Sequence, residues 1–427
     1  MPAEAILLGS FLLLILVGVP ISFSLGIASL LSALILGMGP AVIAQRIAAS
    51  MQAFPLLAIP LFILAGNIMA RGGVAKRIVD FAYVLVGPLP GGLAIVNCIE
   101  SMFFGGVSGS AVADVSSTGS IMIPMMVQKG YDREFSVAVT VTSASQGIII
   151  PPSHNMVIYA MVAGGVSIGR LFLAGYIPGI MLGVALSIAC YILAIKRKYP
   201  CEKRPPLRQS IRIIIDGIFA ILAALIIVVG IAAGIFTATE ASAVAVMYAA
   251  FLGFVVYREL KLKDLVPIFM ESVKTTAIVL FLIGCASAFG WMMTYMQIPS
   301  SVLKAFLSLT TNKFVIIFIV NALLLFLGMV MDVAPLIVIV TPILLPVVKA
   351  IGMSEVTFGI VLMLNLGIGL TTPPVGASLF VGCMVGKTTI EKTSKAMLPL
   401  WPAMLAVLFL ISYVPWFTEF LPRLFMK

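Results

Sequence analysis

The sequence predicts an all-α polytopic membrane protein built from two repeats, each holding a re-entrant helical hairpin and a broken transmembrane helix. Three observations carry that expectation. Of 427 residues, 62% are hydrophobic and only 10% charged, with a mean hydropathy of +1.21; soluble domains average about 25% charged. A Pro-Pro pair interrupts apolar sequence twice, at Pro151-Pro152 and Pro373-Pro374, 222 residues apart (373 − 151). The same offset of 222 maps Pro124 onto Pro346, Gly130 onto Gly352, Gly147 onto Gly369 and Gly164 onto Gly386, so every Gly and Pro from Pro124 to Gly164 recurs.

The elements follow in order. The segment 4–19 is apolar from Ala5 onward and lacks a basic leader and a small-residue cleavage site, so it reads as a retained helix. Segment 21–37 opens after Pro20, and 52–70 is a further span. Residues 72–86 carry Lys76, Arg77 and Asp80 among apolar positions and read as an amphipathic helix on the cytoplasmic surface. Segments 90–104 and 112–127 are too short and too tightly joined for ordinary spans, and read as the first hairpin, 90–127. Its non-helical tip is tolerable at membrane depth only under protein or in a watery cavity. Segment 136–164 contains the first break, and 171–195 closes the first half.

A basic linker, 196–212, divides the halves into 1–195 and 213–427. The second half begins with 213–235, whose only charge is Asp216. Segment 241–257 follows a capping box, Thr237 with Glu240 three residues on. Segment 275–296 is a span, and 298–312 is a counterpart of the surface helix on the opposite face. Segments 314–331 and 336–350 make the second hairpin, 356–386 contains the second break, and 398–421 is the last span, uncharged to residue 411.

Charge placement sets the sidedness. Basic clusters at Arg71/Lys76/Arg77, Lys129/Arg133, 196–212, Arg258/Lys261/Lys263 and Lys387/Lys392/Lys395 all fall on one face, which the positive-inside rule makes cytoplasmic. The first half then starts outside and the second inside, so the repeats are inverted. Seven of the 26 basic residues (Lys196, Arg197, Lys198, Lys203, Arg204, Arg208, Arg212) lie in the linker, so the net charge of +10 reports orientation and not a nucleic-acid surface. The five cysteines are scattered without CxxC spacing, and the single histidine, His154, rules out two-histidine metal chemistry. No GxxxxGK[ST] motif is present, and one histidine with sparse carboxylates offers no nucleophile–base pair, so a membrane enzyme is disfavoured.

The residues that carry chemistry cluster at the interruptions. The first tip, Gly105-Gly106-Val107-Ser108-Gly109-Ser110, offers two hydroxyls and accessible carbonyls, and Asp114 stands one helical turn after Ser110. A carboxylate at membrane depth costs about 2.5–3.5 kcal/mol and is a functional candidate by default. Asp332 is its analogue at the second tip and is read as an N-cap for helix 336–350, as support for an ion site, or as both. Each proline pair frees carbonyls in the turn before it, around 147–150 and 369–372. Freed carbonyls with the hydroxyls of Thr371 and Thr372 suit a dehydrated Na⁺, while the half-helix that follows turns N–H groups toward an anion. His154 and Asn155 have no counterparts in the second break, where Gly376 and Ala377 stand, and are read either as substrate-selecting donors or as helix-packing groups. Glu100 and Arg170 are expected near span ends, snorkelling or paired at the interface. A repeat carrying interrupted helices points to a secondary transporter whose site lies where the breaks meet. An ion channel is the rival class, but it does not require two broken half-sites.

At these residues the chain resembles the large membrane subunit of tripartite ATP-independent periplasmic (TRAP) transporters. The resemblance spans essentially all 427 residues and rests on 105–114, Ile123-Pro124-Met125, Lys129-Gly130-Tyr131, Ile150-Pro151-Pro152, 236–241, 328–332 and Thr371-Thr372-Pro373-Pro374. It implies an elevator-type symporter of the bacterial inner membrane, coupled to Na⁺ with no other cofactor. It also implies a periplasmic binding protein that delivers the solute and a small four-helix membrane subunit, here expected as a separate chain. Family substrates are carboxylates such as C4-dicarboxylates, sialic acid and sugar acids; Ser153-His154-Asn155 after the first proline pair leans toward sialic acid. Sodium is then expected at Ser108, Gly109 and Ser110 with the second break (Gly369, Thr371, Thr372, Pro373) or the first (Ile150, Pro151), with a second site at Gly328, Asp332 and the second break. The carboxylate is expected near Ser153, His154, Asn155 and Asp114, between the tips.

Overall fold

In a computed structural model, the structure describes residues 3–201 and 206–426; Lys203 and Arg204 of the linker lie outside them. All regular structure among the described residues is helical. Six helices are long and apolar enough to cross a membrane, or up to eight if each sharply bent pair counts as one span. Large apolar side chains such as Leu225 and Val229 on Leu207–Ala232 are exposed, as expected of surface that meets lipid.

Both hairpins form. The first runs as Gly92–Ser108, turns at Gly109 and Ser110, and returns as Ala111–Ser117 and Gly119–Gln128. The outgoing helix persists through Ser108, further than its glycines suggest, because Gly109 supplies the left-handed cap (φ +64°) and the Ser110 side chain accepts from the Ala113 N–H of the returning helix. The second pairs Lys313–Gly328 with Val333–Ala350. Both broken helices form too. Arg133–Ile149 and His154–Val162 meet at 48° across the first proline pair, and Glu355–Gly369 and Ala377–Gly386 flank the second. Both Pro-Pro bonds are cis.

Element boundaries recur at the offset seen in the sequence. Arg133 and Glu355 open the two broken helices (355 − 133 = 222), and Ile168 and Ile390 open the helices that follow them (390 − 168 = 222). The surface helices Val74–Val86 and Ile298–Leu309 precede their hairpins in the same order.

The broken helices occupy the centre. Every residue from Phe135 to Ala144 and from Thr357 to Gly369 is buried. They meet where a Cβ on Gly367 would stand 3.4 Å from the Ser145 carbonyl oxygen, and the Tyr159 hydroxyl donates to the Glu355 carbonyl at 2.6 Å.

Three elements differ from expectation. The helix Pro40–Met51 was hidden by Gln45 and Arg46, which lower its hydropathy; Arg46 stacks over Trp291, its guanidinium carbon 4.8 Å from the ring centroid, and Ile47 and Met51 face Gly284. The span expected at 275–296 extends as Leu262–Tyr295, since its charged first turns find partners: Lys261 caps with Asp264 and Glu271 pairs with Arg71 at 2.8 Å. The span expected at 398–421 is bent by 58° between Ile390–Met397 and Trp401–Tyr413 and ends before Pro415. The bend lies at 398–400, and Pro402, which lacks an N–H, stands in the first turn of the helix that begins after it, where no such donor is needed.

Candidate functional site

Each hairpin tip seats on the break of its own half, and close backbone approach is what allows it. A Cβ on Gly105 would fall 2.7 Å from the Gly147 Cα, and one on Gly369 would fall 2.5 Å from the Gly328 Cα. Gly109 lies against Ser153 and His154, with room for nothing larger: a Cβ there would meet His154 Nδ1 at 2.9 Å. The Asn155 side-chain amide donates to the Gly109 carbonyl at 3.1 Å. In the second half, backbone replaces that side chain, and the N–H groups of Val375 and Gly376 donate to the Met329 carbonyl at 3.2 and 3.3 Å.

Of the carbonyls before the second proline pair, that of Gly369 accepts from the Thr372 N–H at 2.9 Å and that of Leu370 from the Leu379 N–H at 3.3 Å. Thr371 and Thr372 both donate to the Ile368 carbonyl, at 2.7 and 2.9 Å. The Tyr176 hydroxyl donates to the Pro151 carbonyl at 3.3 Å, a partner that no sequence signal revealed. Asp332 caps its helix through the Val333 N–H at 2.7 Å, leaving its other oxygen outside that bond. The Ser108 hydroxyl turns back to the Gly105 carbonyl at 3.3 Å.

The tips and breaks converge on one cavity of about 450 Å³. Ser108, Ser110, His154 and Asn155 line it from the first half, and Asp332 and Leu370 from the second. Its remaining wall comes from Ala58–Arg71 and Leu262–Tyr295, through Asn67, Glu271 and Thr275 among others. Asn67 donates to Ser272 at 2.8 Å and Arg71 to Glu271 at 2.8 Å, fastening these two helices together. This wall is not among the sequence expectations, which began the span at 275, four residues after Glu271. Among the described residues lining the cavity none is Lys or Arg.

Some expected site residues lie elsewhere. Asp114 is fully buried behind the tip, not in the cavity lining, and accepts from Thr118 at 2.8 Å. Ser153 is buried with its hydroxyl unpartnered, behind His154. Thr371, Thr372 and Pro373 stand at the second break, and Ile150 and Pro151 at the first, but none of these five lines the cavity. Glu100, expected at a span end, is fully buried in the hairpin arm, because Gly92–Ser108 packs on all sides and places that carboxyl toward Asp114.

Two hairpins seated on two broken helices, around a cavity that sets hydroxyl, amide and carboxylate groups among apolar walls, inside an apolar helical shell, define a membrane solute permease. Comparison with known proteins gives the family. Residues 8–417 match the tripartite ATP-independent periplasmic transporter, DctM component. The chain is 44% identical to the uncharacterized protein YgiK of Salmonella typhimurium, covering 98% of this chain and 97% of that one. It is 40% identical to the isethionate TRAP transporter permease DctMQ of Oleidesulfovibrio alaskensis, covering 96% of this chain and 65% of that protein. It is 38% identical to the sialic acid TRAP transporter large permease SiaM of Vibrio cholerae, covering 97% of both. The Alcanivorax borkumensis YdaH transporter shares the fold at 14% identity, with a TM-score of 0.65 over 88% of each chain. The chain belongs to the DctM family: it is the large, multi-pass permease subunit of a TRAP-type secondary transporter.

Proposed function

We propose that this permease imports an organic acid across the bacterial inner membrane by symport with Na⁺. The observation that carries the reading is the cavity between the two tips, lined by hydroxyls, the amides of Asn67 and Asn155, and the carboxylates of Asp332 and Glu271, but by no Lys or Arg among the described residues. An acid bound there lacks a fixed cation, so bound Na⁺ supplies the compensating charge and its gradient the work. Ser108, Gly109 and Ser110 with Ile150 and Pro151 hold one ion. Gly328 and Asp332 with Gly369, Thr371, Thr372 and Pro373 hold its mate. His154 and Asn155 face the solute. Two Na⁺ moving with a monoanion carry one net charge, worth about 2.3 kcal/mol per 100 mV, enough for tens-fold accumulation.

The transporters of known solute reported above are named for isethionate and sialic acid, both monoanionic acids bearing hydroxyl groups. We take the substrate from that chemistry, with sialic acid first. The DctMQ relative, of which this chain spans 65%, supports a small membrane subunit as partner, and the family's tripartite description supports a periplasmic binding protein. In the elevator reading the hairpins and broken helices move as one body against Ala58–Arg71 and Leu262–Tyr295.

The test is uptake into vesicles holding the permease with its small subunit, supplied with the binding protein and, in turn, N-acetylneuraminate, isethionate and succinate. Accumulation of a hydroxylated monoacid only under an inward Na⁺ gradient is the expected result. Accumulation of succinate alone moves the substrate to the C4-dicarboxylates. Equal uptake in Na⁺ and K⁺ buffers rejects the coupling.

A further inference from the structure

Within the first hairpin, away from the cavity, two carboxyl groups stand without compensation. Glu100 on the outgoing arm and Asp114 on the returning arm are both fully buried. Thr118 donates to Asp114 Oδ1 at 2.8 Å, but Asp114 Oδ2 and both oxygens of Glu100 have no hydrogen-bond partner. The groups acting on Glu100 are Asp114, Thr118 and Ser101, and no Lys, Arg or His acts on either carboxyl. Two bare carboxylates side by side in a low-dielectric interior are not a viable state, because each carries a desolvation cost and they repel one another. Neighbouring elements do not relieve them. Their basic side chains are engaged or exposed elsewhere: Arg71 on Glu271, Arg77 on Glu259, Arg133 on the Gly386 carbonyl, Arg197 on Asp132, with Lys76, Lys196, Arg208 and Arg212 at the surface. Asp80, Glu134 and Asp216 on those elements are acidic and only half-buried, and Cys98 and Cys190 face each other.

We propose that Glu100 and Asp114 form a buried site for one monovalent cation, taken either as a proton or as Na⁺, inside the first hairpin and separate from the two tip sites. Three unpartnered acceptor oxygens at zero exposure point to the missing ligand, since every group in the cluster apart from the hydroxyls of Thr118 and Ser101 accepts and none donates. A proton on one carboxyl removes one of the two buried charges; Na⁺ offsets one of them and is held by carboxylate and hydroxyl oxygens, which are hard donors. Because both arms belong to the hairpin, the cation is held by that element alone, whatever the hairpin's position.

The test uses the purified permease with its small subunit, as wild type, E100Q and D114N. Bound ²²Na⁺ is measured at about pH 8, and the melting midpoint is followed in Na⁺-free choline buffer from about pH 5 to about pH 8. A sodium site gives one equivalent of ²²Na⁺ fewer in both variants. A proton site leaves ²²Na⁺ unchanged; the wild-type midpoint then falls as pH rises and the buried acid must give up its proton, while the E100Q midpoint is flat. Should one variant fail to fold, the other carries the comparison. Variants that match wild type in both sodium binding and pH profile overturn the proposal.

Discussion

Asp332 shows how one side chain serves both the fold and the site. One of its oxygens caps Val333–Ala350, and the residue also faces the cavity. Asn is as good a cap as Asp, whereas Ala loses about 1 kcal/mol. Asp332→Asn is therefore expected to melt as wild type does while needing a higher Na⁺ concentration for half-maximal uptake; Asp332→Ala shows both defects. Normal Na⁺ dependence in Asp332→Asn removes the residue from the ion site. Asn155 is the second case. Its amide donates to the Gly109 carbonyl, and Asp at that position, ionised, has no proton to donate and sets a carboxylate against an acceptor. Asn155→Asp is expected to cost about 1–3 kcal/mol, read from thermal unfolding. The sequence left Asn155 open between packing and selection; the side chain makes the packing contact that anchors the tip, and it also lines the cavity.

At the scale of elements, one pair of the glycines recurring at an offset of 222 marks the same contact in both halves. Gly147 and Gly369 recur because in each half a hairpin arm crosses the broken helix backbone to backbone, against Gly105 and Gly328. Ala at either position forces a shift of main chain, not of a flexible side chain, and overpacking of that kind costs about 1–3 kcal/mol. Gly147→Ala and Gly369→Ala are expected to lower the melting midpoint and uptake, whereas Gly290→Ala, with nothing within 4 Å of the new Cβ, leaves both unchanged. Equal behaviour of all three contradicts the crossing. These devices were legible because helix breakers are local and doubled. The helix Pro40–Met51 and the burial of Glu100 were not, because each depends on a partner elsewhere in the chain: Trp291 and Gly284 for the first, and Asp114 across the hairpin for the second.

For the whole molecule, composition sufficed for a multi-pass membrane protein, and the proline pairs for where to look within it. The wall opposite the tips was illegible, since Asn67, Glu271 and Thr275 sit on helices whose sequence reads as ordinary span. That wall matters to the proposed mechanism: the tips and breaks form one side of the cavity, and two helices tied by Asn67–Ser272 and Arg71–Glu271 form the other. The most direct measurement is a cryo-EM map of the permease with its small subunit, in Na⁺ and the acid identified by vesicle uptake. The account predicts solute density between Asn155 and the second tip near Asp332, with ion density at each tip–break contact. Solute density outside this cavity, with both tips ion-free in saturating Na⁺, contradicts it.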